Sequence, residues 1–332
     1  MLSSFTGKVV FLANIDLTQI VLRQVGEAGL GPCLFPSAHP SIMIMEAACG
    51  GGFDQDFGGS GLANEEVQAI GSLLGRLHLL DTRVVESAAK AARELVERSF
   101  EQCGVSRVEL ELLWRERGGF AMLTLWWWTV AFPKYLGLRN SSLLSMSPEY
   151  NKRVRTLLID TLSLAPNSKA LGKIGFTHSD LFSGNLLKRG KEILAIDFEA
   201  STTGPRFLDL GGLLFLWKGH FEGMEEYQDR AGNRKFRTEL AKAYLGKLGE
   251  AEEVTEEVLF DMEIGFLHRF VYELIWKHIV DLQLEEELVG KAELMLKALQ
   301  AGQSNSEARR RLVECGVFLF VKTQELSLRE QE

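Results

Sequence analysis

His178, Asp180, Asn185 and Asp197 fall in one short stretch, FTHSDLFSGNLLKRGKEILAIDFEASTTGPRFLDLGG, residues 176–212. Asp180 follows His178 by two positions, Asn185 follows Asp180 by five, and Asp197 follows Asn185 by twelve. Phosphoryl transfer to an alcohol needs a carboxylate that orients the attacking hydroxyl and accepts its proton. It also needs two oxygen ligands that hold a divalent cation, Mg²⁺, against the phosphates of ATP. Asp180 suits the first role, and Asn185 with Asp197 the second. An isolated His-x-Asp means little, and an isolated Asp-Phe less; the ordered set is the informative feature. His178 is expected to buttress the loop rather than do chemistry.

A loop followed by a hairpin can bring these groups together. Two strand-like runs, LLKRG and EILAID, flank a Lys-Arg-Gly-Lys turn within residues 186–197, so the returning strand would deliver Asp197 opposite the loop. Upstream, residues 8–15 read as a strand, 16–28 as a helix capped by Asp16, and CLFPSAHPSIMIME as two strand-like pieces split by a turn. Residues 50–61 are a glycine-rich loop, and 63–80 is an amphipathic helix with apolar positions at Val67, Ile70, Leu73, Leu74 and Leu77. Further helices are expected over 84–103, 147–164, 224–248, 254–282 and 284–300, with an aromatic segment at 120–138. No repeat period is visible. The layout is α+β, with a small strand-containing N-terminal part and a large helical C-terminal part.

Composition narrows the classes further. The 332 residues are 46% apolar and 25% charged, which provides ample core and disfavours disorder. Lys plus Arg is 37 against 45 Asp plus Glu, a net charge of −8, so there is no broad electrostatic footprint for nucleic acid. Cys33, Cys49, Cys103 and Cys315 lack metal-site or disulfide spacing and suit a reducing compartment. The start, MLSSFTGKVVFLANI, does not read as a signal peptide. The longest apolar stretch, Phe120 to Phe132, is 13 residues, where a spanning helix needs roughly 20. A cytoplasmic protein with no membrane span is the expectation.

HSDLFSGNLL followed by IDFEASTTGPRFLDLGG resembles the choline/ethanolamine kinases, within the wider aminoglycoside phosphotransferase-like group. Weaker likeness extends to EAGLGPCLF (27–35), SIMIMEAACGG (41–51) and IGSLLGRLHLLD (70–81). The resemblance implies a protein-kinase-like two-lobed fold: a reduced β-containing N-lobe over residues 1–50 and a helical C-lobe over 51–330 carrying the catalytic loop and acceptor site. It implies ATP-dependent phosphorylation of choline or ethanolamine, feeding phospholipid headgroup synthesis. Asp180 matches the catalytic base, Asn185 and Asp197 the magnesium ligands, and Asp209 an aspartate that steadies the catalytic loop. Glu46 matches the hinge position beside the adenine, acting more through its backbone than its carboxylate. Glu199, where protein kinases carry glycine, borders the acceptor site and points to the choline/ethanolamine branch.

An ammonium alcohol offers charge but few directed hydrogen bonds, so aromatic faces and carboxylates must recognise it. Tyr272 and Trp276 are four apart on an expected helix and share a face, with His268 four residues earlier. They are cage candidates by resemblance; a core role is the commoner fate of such a stripe. The partner expected is a small cationic amino alcohol, not nucleic acid, and a homodimer is among the assemblies considered.

The departure from the pattern lies at the start. Only seven residues precede Lys8, and no glycine-rich turn between strands fits there. The run VVFLANI has no central Lys or Arg, and Thr18 and Gln19 stand near the position of the expected pairing glutamate. Lys8 is the remaining substitute for the phosphate-binding cation. Either the chain is N-terminally incomplete or this lobe has degenerated around retained kinase chemistry. The rival readings are a phosphotransferase on another small alcohol, such as an aminoglycoside, and a non-catalytic pseudokinase.

Overall fold

The computed structural model describes residues 19–35, 44–46, 64–83, 85–86, 107, 148–198, 201–215, 234–249, 253–281, 286–318 and 320–321; for 44, 148, 151, 155 and 275–281 it describes the backbone alone. Expectations for residues 8–15, 50–61, 84–103 (apart from an isolated helical residue or two at its edge) and 120–138 therefore lie outside the described residues, as do Lys8, Glu199 and the side chain of Trp276.

The chain divides into two compact units. In the first, residues 19–27 form helix α1, followed by the short antiparallel strands β1 (Leu34–Phe35) and β2 (Ile44–Met45), paired Leu34 to Met45 and Phe35 to Ile44. Strand β3 (Ile174–Thr177) pairs antiparallel with β6 (Thr202–Pro205). Between them in sequence, β4 (Leu186–Arg189) and β5 (Glu192–Ala195) form the expected hairpin, with Leu186 opposite Ala195 and Arg189 opposite Glu192. Its two-residue turn uses Gly190 at φ 62°, a left-handed conformation that glycine adopts without the steric cost of a Cβ.

Helix α2 (Asn64–Leu77) starts with Glu65 and Glu66 and ends with Arg76, the charge order that the helix dipole favours. Its residues 64–75 belong to the second unit. There they join α3 (Pro148–Ser163), the single turn α4 (Lys169–Gly172), α5 (Phe207–Phe215), α6 (Arg234–Leu248), α7 (Glu256–Asp281), α8 (Glu286–Ser304) and α9 (Ser306–Cys315). The helices read at 147–164, 254–282 and 284–300 are observed with shifted ends, whereas α4, α5, α9, β3 and β6 were not foreseen.

The second unit is organised around α7. Every residue from Val258 to Val271 is buried, so this helix is enclosed on all sides rather than packed by one stripe. Helix α5 is buried along its whole length and lies against it. Their crossing is set by two glycines: a Cβ at Gly265 would sit 2.3 Å from the Phe207 carbonyl oxygen and one at Gly211 2.3 Å from the Gly265 carbonyl carbon. Around the crossing, Phe215 meets Phe266 and Phe270 at centroid separations of 5.6 and 5.7 Å. Backbone is a neighbour that cannot step aside, so Gly265→Ala is expected to cost about 3 kcal/mol through forced helix separation. Chemical denaturation checks this; a loss under about 1 kcal/mol would contradict the close crossing.

Two buried carboxylates of α7 serve structure. Asp261 accepts the backbone N–H groups of Asn167 (2.8 Å) and Ser168 (2.7 Å), fixing the turn that opens α4. Glu263 pairs with the fully buried Arg237 of α6 and accepts the Val317 N–H at 2.9 Å. Among the described residues no helix is long and apolar enough to cross a membrane.

Candidate functional site

Strand β3 delivers His178 and Asp180 to the loop that follows it, and the β4–β5 hairpin returns the chain to the same place. A single 3₁₀ turn, Ser183–Asn185, connects them, and the Asn185 N–H bonds the Phe182 carbonyl at 3.0 Å. The Ile196 N–H then bonds the Asn185 carbonyl at 3.0 Å, extending the hairpin ladder by one rung. Asn185 and Asp197 thus occupy the two feet of one hairpin.

Side-chain contacts complete the set. Asn185 Nδ2 donates to the Asp180 carbonyl at 2.8 Å and to its carboxylate at 3.3 Å. Because the amide nitrogen is committed to Asp180, Oδ1 is the atom of the Asn185 side chain that could ligate a cation. The Asp197 carboxyl is pushed above its ordinary value, first by burial and then by the negative charge of Asp180. Two carboxylates that repel each other in a half-buried place are stabilised by a cation between or beside them.

His178 spans both halves of this arrangement. Its Nδ1 accepts the Asp180 N–H at 3.3 Å, and its Nε2 lies 2.8 Å from the Ile196 carbonyl oxygen. Those partners assign the neutral tautomer with the proton on Nε2, donating to Ile196. One imidazole therefore holds the backbone of the residue before Asp197 and the backbone of Asp180. The Phe198 ring packs against it at 4.6 Å.

Two residues beside the chemistry carry backbone strain. Ser179 and Asp197 have φ 67° and 65°, in the left-handed region that non-glycine residues enter at a cost of roughly 1–2 kcal/mol. Ser179 is held there by its hydroxyl, 3.1 Å from Thr177 Oγ1, which itself donates to the Thr202 carbonyl on β6 at 3.2 Å. No pattern of residue types announces Thr177, Ser179 or Phe198 as parts of the site, since their roles come from dihedral angles and cross-strand contacts.

Segment 30–46 supports the same hairpin. The Ala195 N–H bonds the Leu30 carbonyl at 2.8 Å, and a Cβ on Gly31 would lie 2.8 Å from the Ala195 carbonyl oxygen, so glycine permits this approach. Glu46, the residue after β2, donates its N–H to the Cys33 carbonyl at 2.9 Å and accepts the Cys33 N–H on Oε2 at 3.2 Å. Its carboxylate also meets Arg189 at 3.3 Å. The Cys33 N–H first, and the Arg189 guanidinium after it, hold the Glu46 carboxyl below its ordinary value. The carboxylate is thus engaged as fully as the backbone.

Asp209 and Tyr272 belong to the second unit. Asp209 is buried in the first turn of α5. Tyr272 lies on α7 with the Arg269 guanidinium 4.8 Å from its ring centroid, and Arg269 pairs with Glu273 at 2.5 Å. His268, on the same stripe, is buried edge-on to Phe207 at 5.5 Å, which is a core contact.

Residues 58–254 match the model of a family described as "Phosphotransferase enzyme family". No curated protein matches the chain by sequence. Among solved structures, an ethanolamine kinase of Plasmodium vivax is similar at a TM-score of 0.52 and 14% identity, covering 93% of this chain and 71% of that one. A choline/ethanolamine kinase family protein from Mesorhizobium loti gives 0.49 and 14%, covering 92% and 85%. A choline kinase from Cryptosporidium parvum gives 0.45 and 14%, covering 91% and 80%. The first of these likenesses supports the kinase-like α+β fold that the motif implied.

Proposed function

Because the chain belongs to the phosphotransferase enzyme family, we propose that it phosphorylates a small alcohol with ATP, and that the alcohol is choline or ethanolamine. The observation that carries this reading is the gathering of Asp180, Asn185 and Asp197 at the feet of one hairpin, braced by His178. The acceptor hydroxyl is oriented by the Asp180 carboxylate, its oxygen attacks the γ-phosphorus, and the bond to the β–γ bridging oxygen breaks to release ADP. The hydroxyl proton passes to Asp180 and then to water.

Asn185 Oδ1 and the Asp197 carboxylate are the hard oxygen donors that suit Mg²⁺, which keeps few protein ligands and takes the rest from phosphates and water. When bound, the ion offsets charge on the transferring group. Asn185 is turned to this task by its bonds to Asp180, and Asp197 by its left-handed backbone.

The choice of acceptor rests on the resemblance at residues 178–212, on Glu199 as a carboxylate for the amine, and on Tyr272 and Trp276 as ring contacts. Arg269 occupies one face of Tyr272, so an ammonium would use its other face or edge. Asp209 is the proposed support of the catalytic loop, Glu46 and Lys8 the proposed nucleotide-side groups, and residues 1–50 with 51–330 the proposed lobes. We place the protein in the cytoplasm, upstream of phospholipid headgroup assembly. The test is an acceptor panel with Mg-ATP, read as ADP release and as phosphate on product. Choline or ethanolamine should turn over with the highest kcat/KM. A preference for an aminoglycoside would replace the acceptor, and no turnover with any alcohol would favour a pseudokinase.

A further inference from the structure

The feet of the β4–β5 hairpin carry Asn185 and Asp197, and both ends of that hairpin are tied to segment 30–46. At the foot the tie is the Ala195 N–H to the Leu30 carbonyl, with Gly31 pressed on the Ala195 oxygen. At the turn it is Arg189, the last residue of β4. Its Nη2 donates to Glu192 at 2.9 Å while its Nη1 reaches the Glu46 carboxylate at 3.3 Å. Glu46 is locked in turn to Cys33 through a pair of opposed hydrogen bonds.

Neither partner is stable alone. The hairpin has two four-residue strands, and β1–β2 has two residues on each side, below the size at which a two-stranded sheet holds its register in water. Where such short pieces meet, a side chain that grips both sets their relative placement. Arginine can do this because its planar fork serves two carboxylates at once, which the single ammonium of lysine does less well.

We infer that Arg189 is a positioning residue for phosphoryl transfer: through Glu46 it braces the hairpin that carries Asn185 and Asp197 against the β1–β2 pair, with Glu192 holding the guanidinium in line. The nucleotide consequence rests on the phosphotransferase reading above; the brace itself does not. Both side chains are about one-third exposed (33% and 31%), so the pair adds little to global stability and is screened by salt. That separates positioning from mere support.

The experiment compares the full chain with Arg189→Met, Arg189→Lys, Glu46→Gln and the Arg189→Met/Glu46→Gln double variant. Hydrogen exchange is followed over residues 186–198, and Mg-ATP affinity is measured by calorimetry. Each methionine or glutamine single variant should raise exchange at the Ala195 and Ile196 amides, and weaken Mg-ATP, by about five-fold. Arg189→Lys should fall between wild type and Arg189→Met. The double variant should do no more than either single, and melting midpoints should stay within about 2 °C. At 1 M KCl the wild-type advantage over Glu46→Gln should vanish. Unchanged exchange in Glu46→Gln, or single effects that add in the double variant, would overturn the brace. If wild-type chain binds no Mg-ATP, the phosphotransferase assignment falls and exchange alone decides the brace.

Discussion

Asp180→Asn is expected to lower kcat for the preferred acceptor by about 10³-fold with little change in KM for ATP. Asparagine preserves the size of the side chain and keeps an oxygen for the Asn185 amide, which now lies 3.3 Å from the carboxylate. What disappears is the proton acceptor and one negative charge. The His178 bond to the residue-180 N–H belongs to the backbone and survives the change. A loss confined to kcat, with an unaltered melting midpoint, identifies Asp180 as the group that acts on the hydroxyl. ADP release measured at saturating acceptor checks it. Turnover within about three-fold of wild type would remove the base role, since general-base assistance contributes on the order of 10²–10⁴.

The largest stability effect is expected in the second unit. Arg237→Met should cost about 3–5 kcal/mol, because it leaves the Glu263 carboxylate buried with the Val317 N–H but without its ionic partner. Arg237 is wholly buried and also donates to the Val313 carbonyl at 2.5 Å, so a second polar group is orphaned at the same time. The melting midpoint should fall by on the order of 10 °C. Removing the stranded charge as well, in Arg237→Met/Glu263→Leu, should recover most of the loss. Thermal and urea unfolding of the two variants decide this. A double variant no better than the single would mean that packing, not the uncompensated charge, sets the cost.

The clustering of Asp180, Asn185 and Asp197 was legible because their relation is local. Asp180 to Asn185 is a loop spacing, and Asn185 to Asp197 is a hairpin spacing; strand-like runs around a glycine turn are enough to place both. Helix α7 was legible for a different reason, a long stretch rich in apolar residues with no proline and a single glycine, although nothing in that stretch marks its two carboxylates as buried. The β3–β6 pair was not: IGFT and TTGP are four residues each, interrupted by glycine and proline, and lie 25 positions apart at Thr177 and Thr202. Helix α5 was hidden by Gly211 and Gly212, whose low helix propensity is overridden by complete burial against α7. The Arg189–Glu46 contact joins residues 143 positions apart, and no periodicity encodes it. The reading of residues 8–15 as a strand carrying Lys8 lies outside the described residues.

That N-terminal question bears on the central claim, because the proposed catalytic loop is useful only if nucleotide reaches it. Calorimetric titration of Mg-ATP into the wild-type chain and into Asp197→Asn tests this most directly. Saturable, magnesium-dependent binding, weakened at least about ten-fold by Asp197→Asn, is the predicted result. Absence of binding heat to the wild-type chain at millimolar nucleotide would contradict it.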